Sequence, residues 1–189
     1  MSNTFHVLGI SGSLRAASLN TRFLQAMDRL RPENVSFTRY THLDAIPLFN
    51  ADREDHPCPA LTHWRSALAR ADLVLLVSPE YAHGVTGVMK NALDWIVGSG
   101  ELLDKPLAFP NLSPRARLAH SQLAETLQIM GCRQLTTCSP QATLAAPYVL
   151  PDADEQTLAA HPEIGLDFRR CGAILQRNSR RYAEVLRKR

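Results

Sequence analysis

Leu73-Val74-Leu75-Leu76-Val77, entered through Ala71-Asp72 and closed by Ser78-Pro79, is apolar at every position. Side chains of a strand alternate between two faces, so this run is buried only if both faces are covered, as in a central parallel strand between layers of helices. The N-terminal region repeats the theme. Phe5-His6-Val7-Leu8-Gly9-Ile10 is a short apolar, β-leaning segment. After it Phe23, Met27 and Leu30 recur at helical spacing with Arg22, Gln25 and Asp28 between them.

Strand and helix patterns then alternate down the chain. Val35 to Tyr40 alternates like a strand, and Leu61, Trp64, Leu68 and Ala71 mark a helix. Val85, Val88, Met89, Ala92, Leu93 and Ile96 mark another, ended by Gly98-Ser99-Gly100. Lys105 to Phe109 reads as a fourth strand, Leu118, Leu123, Leu127 and Met130 as a fourth helix, and Gln134 to Cys138 as a fifth strand. This alternation predicts one α/β domain over residues 1–189, a three-layer sandwich around a five-stranded parallel sheet. Among doubly wound sheets the order 2-1-3-4-5 is the natural choice, and ligands bind at the carboxyl edge where the strand order reverses.

The stretch Ile10 to Asn20, I-S-G-S-L-R-A-A-S-L-N, lies at that edge between the first strand and the first helix. The first turn of a helix leaves backbone N–H groups unpaired and concentrates positive charge, which suits an anion. Ser11, Ser13 and Ser18 add hydroxyls, Asn20 an amide, and Arg15 a fork that grips two oxygens of one phosphate. Gly12 permits a tight turn. A simple helix cap, worth about 1 kcal/mol, needs only one such residue. Neither G-x-G-x-x-G nor G-K-[ST] is present, so a terminal monophosphate fits better than a pyrophosphate or triphosphate.

G-S-L-R-x-x-S-x-N after a first strand resembles the phosphate loop of NAD(P)H-dependent FMN reductases. About sixty residues on, Ser78-Pro79-Glu80-Tyr81-Ala82-His83-Gly84 and then Gly87-Val88-Met89-Lys90-Asn91-Ala92-Leu93-Asp94-Trp95 resemble that family's P-E-Y loop and G-x-x-K-N-x-x-D-W helix. Asp44 to Asp52 resembles its L-P-x-F/Y-N segment. The resemblance runs from the N-terminus to about Cys138. It implies a flavodoxin-like fold, FMN as cofactor and NAD(P)H as co-substrate. It also implies electron transfer by ping-pong turnover to a small acceptor: free flavin, a quinone, an azo dye or a metal oxyanion. The alternative is a flavodoxin-like FMN-binding carrier serving protein partners, a class that tends to be strongly acidic.

The resemblance places Ser11, Gly12, Ser13, Leu14, Arg15, Ser18, Leu19 and Asn20 at the FMN phosphate and Pro79, Glu80, Tyr81 and Ala82 at the ring. Tyr81 either borders the isoalloxazine or seals the sheet edge. Glu80 either meets flavin or substrate or pairs with an arginine of a neighbouring subunit. Many relatives carry a glycine pair where this chain has Arg115-Ala116, so a contact from Ser113 approaches the ring differently. No catalytic side chain is assigned, because a flavin carries the redox chemistry itself. His83 reads as an exposed loop histidine or as a proton donor. The helix from Val85 to Ile96 has an apolar stripe wider than packing on a sheet requires. Either it is core or, as the family's habit suggests, it pairs the chain into a homodimer or homotetramer.

Composition narrows the remainder. Hydrophobic residues make up 45% and charged residues 21%, with a net charge of +3, which suits a globular domain rather than a disordered or membrane chain. The expected location is cytoplasmic, since Met1-Ser2-Asn3-Thr4 leads straight into a strand without a signal-peptide pattern. Cys58, Cys132, Cys138 and Cys171 have no zinc-like spacing and read as thiols, and no metal site is expected. Gly165 to Arg189 holds eight basic residues against Asp167 and Glu184. Phe168, Cys171, Leu175, Tyr182 and Val185 recur there at helical spacing, so the arginines form a solvated face rather than a nucleic-acid site.

Overall fold

The computed structural model describes residues 4–56, 58–113, 115–135 and 154–160. Strands β1 (Phe5–Ser11), β2 (Val35–Tyr40) and β3 (Leu73–Val77) join the later β6 (Pro106–Ala108) and β7 (Arg133–Gln134) in one parallel sheet. Its order is β2-β1-β3-β6-β7, which counted along these five strands is the expected 2-1-3-4-5. Helices α1 (Leu19–Leu30), α2 (Pro59–Arg70), α3 (Gly87–Asp94), α4 (Arg117–Ile129) and the short α5 (Glu155–Ala160) cover the sheet.

The burial of β3 explains the layering. Leu73, Leu75 and Val77 point into one core with Val7, Phe23, Leu24, Met27 and Leu158, formed with α1 and α5. Val74 and Leu76 point into the other with Leu8, Ile10, Trp64, Leu68, Met89, Ile96, Leu123 and Leu127, formed with α2, α3 and α4. Burying side chains of this size contributes roughly 1.5 to 3 kcal/mol each, so the central strand anchors both layers. Gly9 of β1 is small for a reason. A Cβ there would stand 2.8 Å from the Phe37 ring that fills the space against α1.

The apolar stripe at α3 is intramolecular. Met89, Ala92, Leu93, Trp95 and Ile96 are all buried within the single chain. Trp64 Nε1 donates to Ala92 O at 2.9 Å, tying α2 to α3. The apolar segment from Ile46 to Phe49 lies on the same helix. Asn91 Nδ2 donates to Pro47 O (2.9 Å), Asn91 Oδ1 accepts from Phe49 N (2.8 Å), and Trp95 Nε1 donates to Pro47 O (2.7 Å). What remains exposed beside these contacts is Leu48, Val97 and part of Phe49.

Several boundaries differ from the expected ones. Val85 lies outside α3, in a small antiparallel hairpin of β4 (Glu80–Tyr81) and β5 (Gly84–Val85). The last sheet strand starts at Arg133, one residue early, and Leu135 N still bonds Leu107 O at 2.8 Å. Leu118 belongs to α4 yet points outward, exposed. Cys138, Cys171 and the basic segment Gly165 to Arg189 lie outside the described residues. Cys58 and Cys132 are free half-buried thiols, and burial pushes Cys132 up to about 11. Among the described residues no helix is long and apolar enough to cross a membrane.

Candidate functional site

Two loops leave the carboxyl edge of neighbouring strands and lock together. Gly12 N donates to Val77 O at 2.7 Å, and Gly12 O accepts from the buried Thr86 hydroxyl at 2.7 Å. The approach admits no side chain at position 12, where a Cβ would lie 2.5 Å from Ser78 Oγ and 3.1 Å from Thr86 Oγ1. Glycine is required there for closeness. The loop following β1 is therefore fixed against the segment following β3.

Within the first loop, Ser11 Oγ accepts from Ser13 N (3.3 Å) and Ser13 Oγ accepts from Arg15 N (3.4 Å), two successive turns that carry the backbone round to α1. Ser18 stands at the helix cap with extended backbone (φ −87°, ψ 131°), but its hydroxyl makes no capping bond, and the first turn holds no acid. The simple cap reading fails on this point. Ser18 and Asn20 are nevertheless buried polar residues, 4% and 7% exposed. A helix start with uncapped N–H groups, no carboxylate and two such donors fits a phosphate. A cleft of about 260 Å³ opens beside it, lined by Ser11, Ser13, Leu14 and Arg15 from this loop, Thr21 from α1, Arg39 from β2, and Thr41 and Asp44 from the segment after β2.

The P-E-Y segment is a hairpin, not an open loop. Glu80 pairs with Val85 and Tyr81 with Gly84, so Ala82 and His83 form a two-residue turn with φ of 49° and 61°. Positive φ at both positions is the signature of a type I′ turn, which Asn-Gly usually supplies. Residues with a Cβ are strained there, by roughly 1 to 2 kcal/mol each. Contacts to α4 hold the turn. Glu80 Oε2 accepts from Ala119 N at 2.9 Å, its Oε1 lies 3.3 Å from His83 Nδ1, and Gln122 Nε2 reaches His83 O at 3.5 Å. The Ala119 amide, then the His83 contacts, hold the Glu80 carboxyl below its ordinary range despite some desolvation. Within its own chain the Glu80 carboxylate caps α4.

Tyr81 is half exposed on this hairpin and the His83 ring is exposed. Ser78 Oγ donates to the adjoining Pro79 O at 3.2 Å. Ser113 sits in the turn before α4, where its N–H donates to Asn111 Oδ1 (3.1 Å) and its carbonyl accepts from Ala116 N (3.0 Å). Its hydroxyl accepts from Arg115 N at 3.4 Å, so it serves the turn. The expected residues thus fall into three linked groups: the loop of Ser11 to Asn20, the hairpin of Pro79 to Ala82, and Ser113 beside the helix that Glu80 caps. Sequence reasoning missed Thr86, Thr21 and Arg39. Thr86 alone had a signal, as a Thr directly before a helix, though its hydroxyl serves Gly12 and not its helix.

The fold is a flavodoxin-like α/β sandwich, with the uncapped start of α1 and its serine-rich loop at the switch in strand order. Residues 5–148 match the model of the NADPH-dependent FMN reductases, and the chain belongs to that family. It is 41% identical over 97 residues to an NAD(P)H-dependent FMN reductase of Pseudomonas aeruginosa, covering 50% of this chain and 51% of that one. It is 34% identical over 122 residues to a quinone reductase of Pseudomonas putida, covering 61% and 64%. The chain thus spans about half to just under two thirds of these relatives. Among solved structures, FerB, a flavoenzyme NAD(P)H:(acceptor) oxidoreductase of Paracoccus denitrificans, shares the fold at a TM-score of 0.70 with 22% identity, over 88% of this chain and 96% of that one.

Proposed function

We propose that this chain binds FMN by its monophosphate and is an NAD(P)H-dependent reductase of a small acceptor, with a free flavin or a quinone as the leading classes. The observation that carries the reading is the Gly12 clamp. It ties the loop that carries Arg15 and leads into an uncapped helix start to the segment that follows a hairpin bearing an exposed tyrosine, which supports reading them as one site.

Each residue then has a binding task. Amides of Leu19, Asn20 and Thr21, with the Ser13, Ser18 and Asn20 side chains and the Arg15 fork, hold the phosphate. Gly12 brings the backbone close, Ser11 shapes the turn, and Leu14 and Leu19 flank the ligand. Pro79 to Ala82 border the ring, with Tyr81 offering an aromatic face, and the Ser113 turn closes the far side. Bound FMN supplies hydride acceptance and electron donation, while the protein supplies position, electrostatics and exclusion of water. We further propose that the chain assembles as a homodimer or homotetramer beside α3, through Leu48, Phe49 and Val97.

The test is anaerobic mixing of FMN-loaded protein with NADPH and with NADH. Bleaching of the flavin colour within seconds supports the reductase. Colour that persists for many minutes with both nucleotides overturns it in favour of a flavodoxin-like carrier.

A further inference from the structure

The cleft beside the phosphate cradle reaches past the loop of β1 to the end of β2. Arg15 and Arg39 both line it, together with the Ser11, Ser13 and Thr21 residues of the cradle. Arg39 pairs with Gly9 in the β1–β2 ladder, two residues before Ser11, so the edge strand delivers a second guanidinium beside the loop. Neither guanidinium makes a hydrogen bond or ion pair among the described residues, whereas Arg29, Arg31 and Arg65 are each paired with a carboxylate. Asp44 lines the same cleft without pairing with either arginine.

Charge matching decides what two guanidinium forks lining one cleft would take. A phosphate monoester carries about −1.5 to −2 at neutral pH. A helix N-terminus answers roughly +0.5 of that and one arginine a further unit, which leaves up to about half a charge for a second cation, and Arg15 and Arg39 both reach it from the exposed rim of the cleft. From these positions we infer that Arg39 is a second phosphate-gripping residue, completing with Arg15 a two-arginine clamp on the FMN monophosphate. The inference rests on the FMN reading above and adds to it a residue from outside the loop motif. Its consequence is a site that selects FMN strongly over riboflavin, the same flavin without the phosphate.

The experiment measures FMN and riboflavin affinity of the full chain stripped of flavin, by quenching of flavin fluorescence, for wild type, Arg39→Gln and Arg39→Lys. Loss of a charged contact predicts about a tenfold rise in the FMN Kd of Arg39→Gln with the riboflavin Kd unchanged. Arg39→Lys recovers part of the loss, since a point charge replaces a fork. Unaltered FMN affinity in Arg39→Gln overturns the clamp, as does an equal loss for both flavins, which marks a structural role. A changed NADPH-to-NADH preference at unchanged FMN affinity also overturns it, by assigning Arg39 to the 2′-phosphate of the pyridine nucleotide. Wild type that binds neither flavin overturns the FMN reading itself, a result distinct from the other three.

Discussion

The Thr86 hydroxyl donates to the Gly12 carbonyl at 2.7 Å across 74 residues of sequence, and the bond is buried. It makes one unit of two loops that emerge from adjacent strands. A buried carbonyl that loses its donor bears the full desolvation penalty of about 1 to 3 kcal/mol.

Thr86→Val keeps the side-chain shape and removes that bond. The expected result is a melting temperature lower by several degrees, at roughly 2 to 4 °C per kcal/mol for a chain of this size, together with weaker FMN binding. Differential scanning calorimetry and a flavin titration check both, and a stable variant with intact binding would show that the loops do not need the clamp.

The Glu80 cap gives a pH dependence with a definite sign. Its folded pKa is depressed below the ordinary 4.5, first by the Ala119 amide. Its contribution is therefore fully present above the unfolded value and is lost as pH falls through the folded one. Glu80→Gln should melt below wild type at neutral pH. The gap should close as both are acidified below 4.5, and a gap independent of pH would remove the charged cap from the account.

Ala82 and His83 hold φ of 49° and 61° in a turn that Asn-Gly would form without strain. The double variant Ala82→Asn, His83→Gly should stabilise the protein by about 1 kcal/mol or more. Thermal melting reads the gain. If the variant is less stable, the His83 contact to Glu80 outweighs the backbone strain.

Much of the fold was legible because burial leaves a mark on composition. Leu73 to Val77 read as a two-faced strand and divides its side chains between two cores. Phe23 and Met27 marked the buried face of α1. The stripe of Met89, Ala92 and Ile96 showed that a face is buried but not what buries it, and the answer is the chain itself. The hairpin at Glu80 was hidden because two-residue strands carry no periodicity and Ala-His carries no turn signal. The partner of Glu80 lies 39 residues away, a relation that only the folded chain creates. The candidate phosphate loop stood out because five donor residues crowd one short stretch, whereas Arg39 is brought beside that stretch only by strand pairing.

The proposed assembly uses a surface other than the apolar stripe. Leu48 is 84% and Val97 55% exposed beside the buried Trp95. Light scattering of the wild type should report a dimer or tetramer, and Leu48→Glu should shift it toward monomer by placing a charge in an apolar contact. A monomeric wild type at micromolar concentration removes the assembly proposal.

The last expectation concerns turnover order. Tyr81 is half exposed on a hairpin tied to α4 through Glu80 and the His83 carbonyl, and we propose that a ring bordered by Tyr81 offers one open approach. Nicotinamide and acceptor must then use the same place in succession. Exchange of one for the other requires the first product to leave before the second substrate enters, which is a ping-pong scheme. Varying NADPH and a quinone together should give parallel lines in double-reciprocal plots, and high quinone should inhibit competitively against NADPH because both enter one space. Tyr81→Ala widens that space and should raise KM for both substrates more than it lowers kcat. Intersecting lines would mean that both molecules bind at once, which overturns the single shared place.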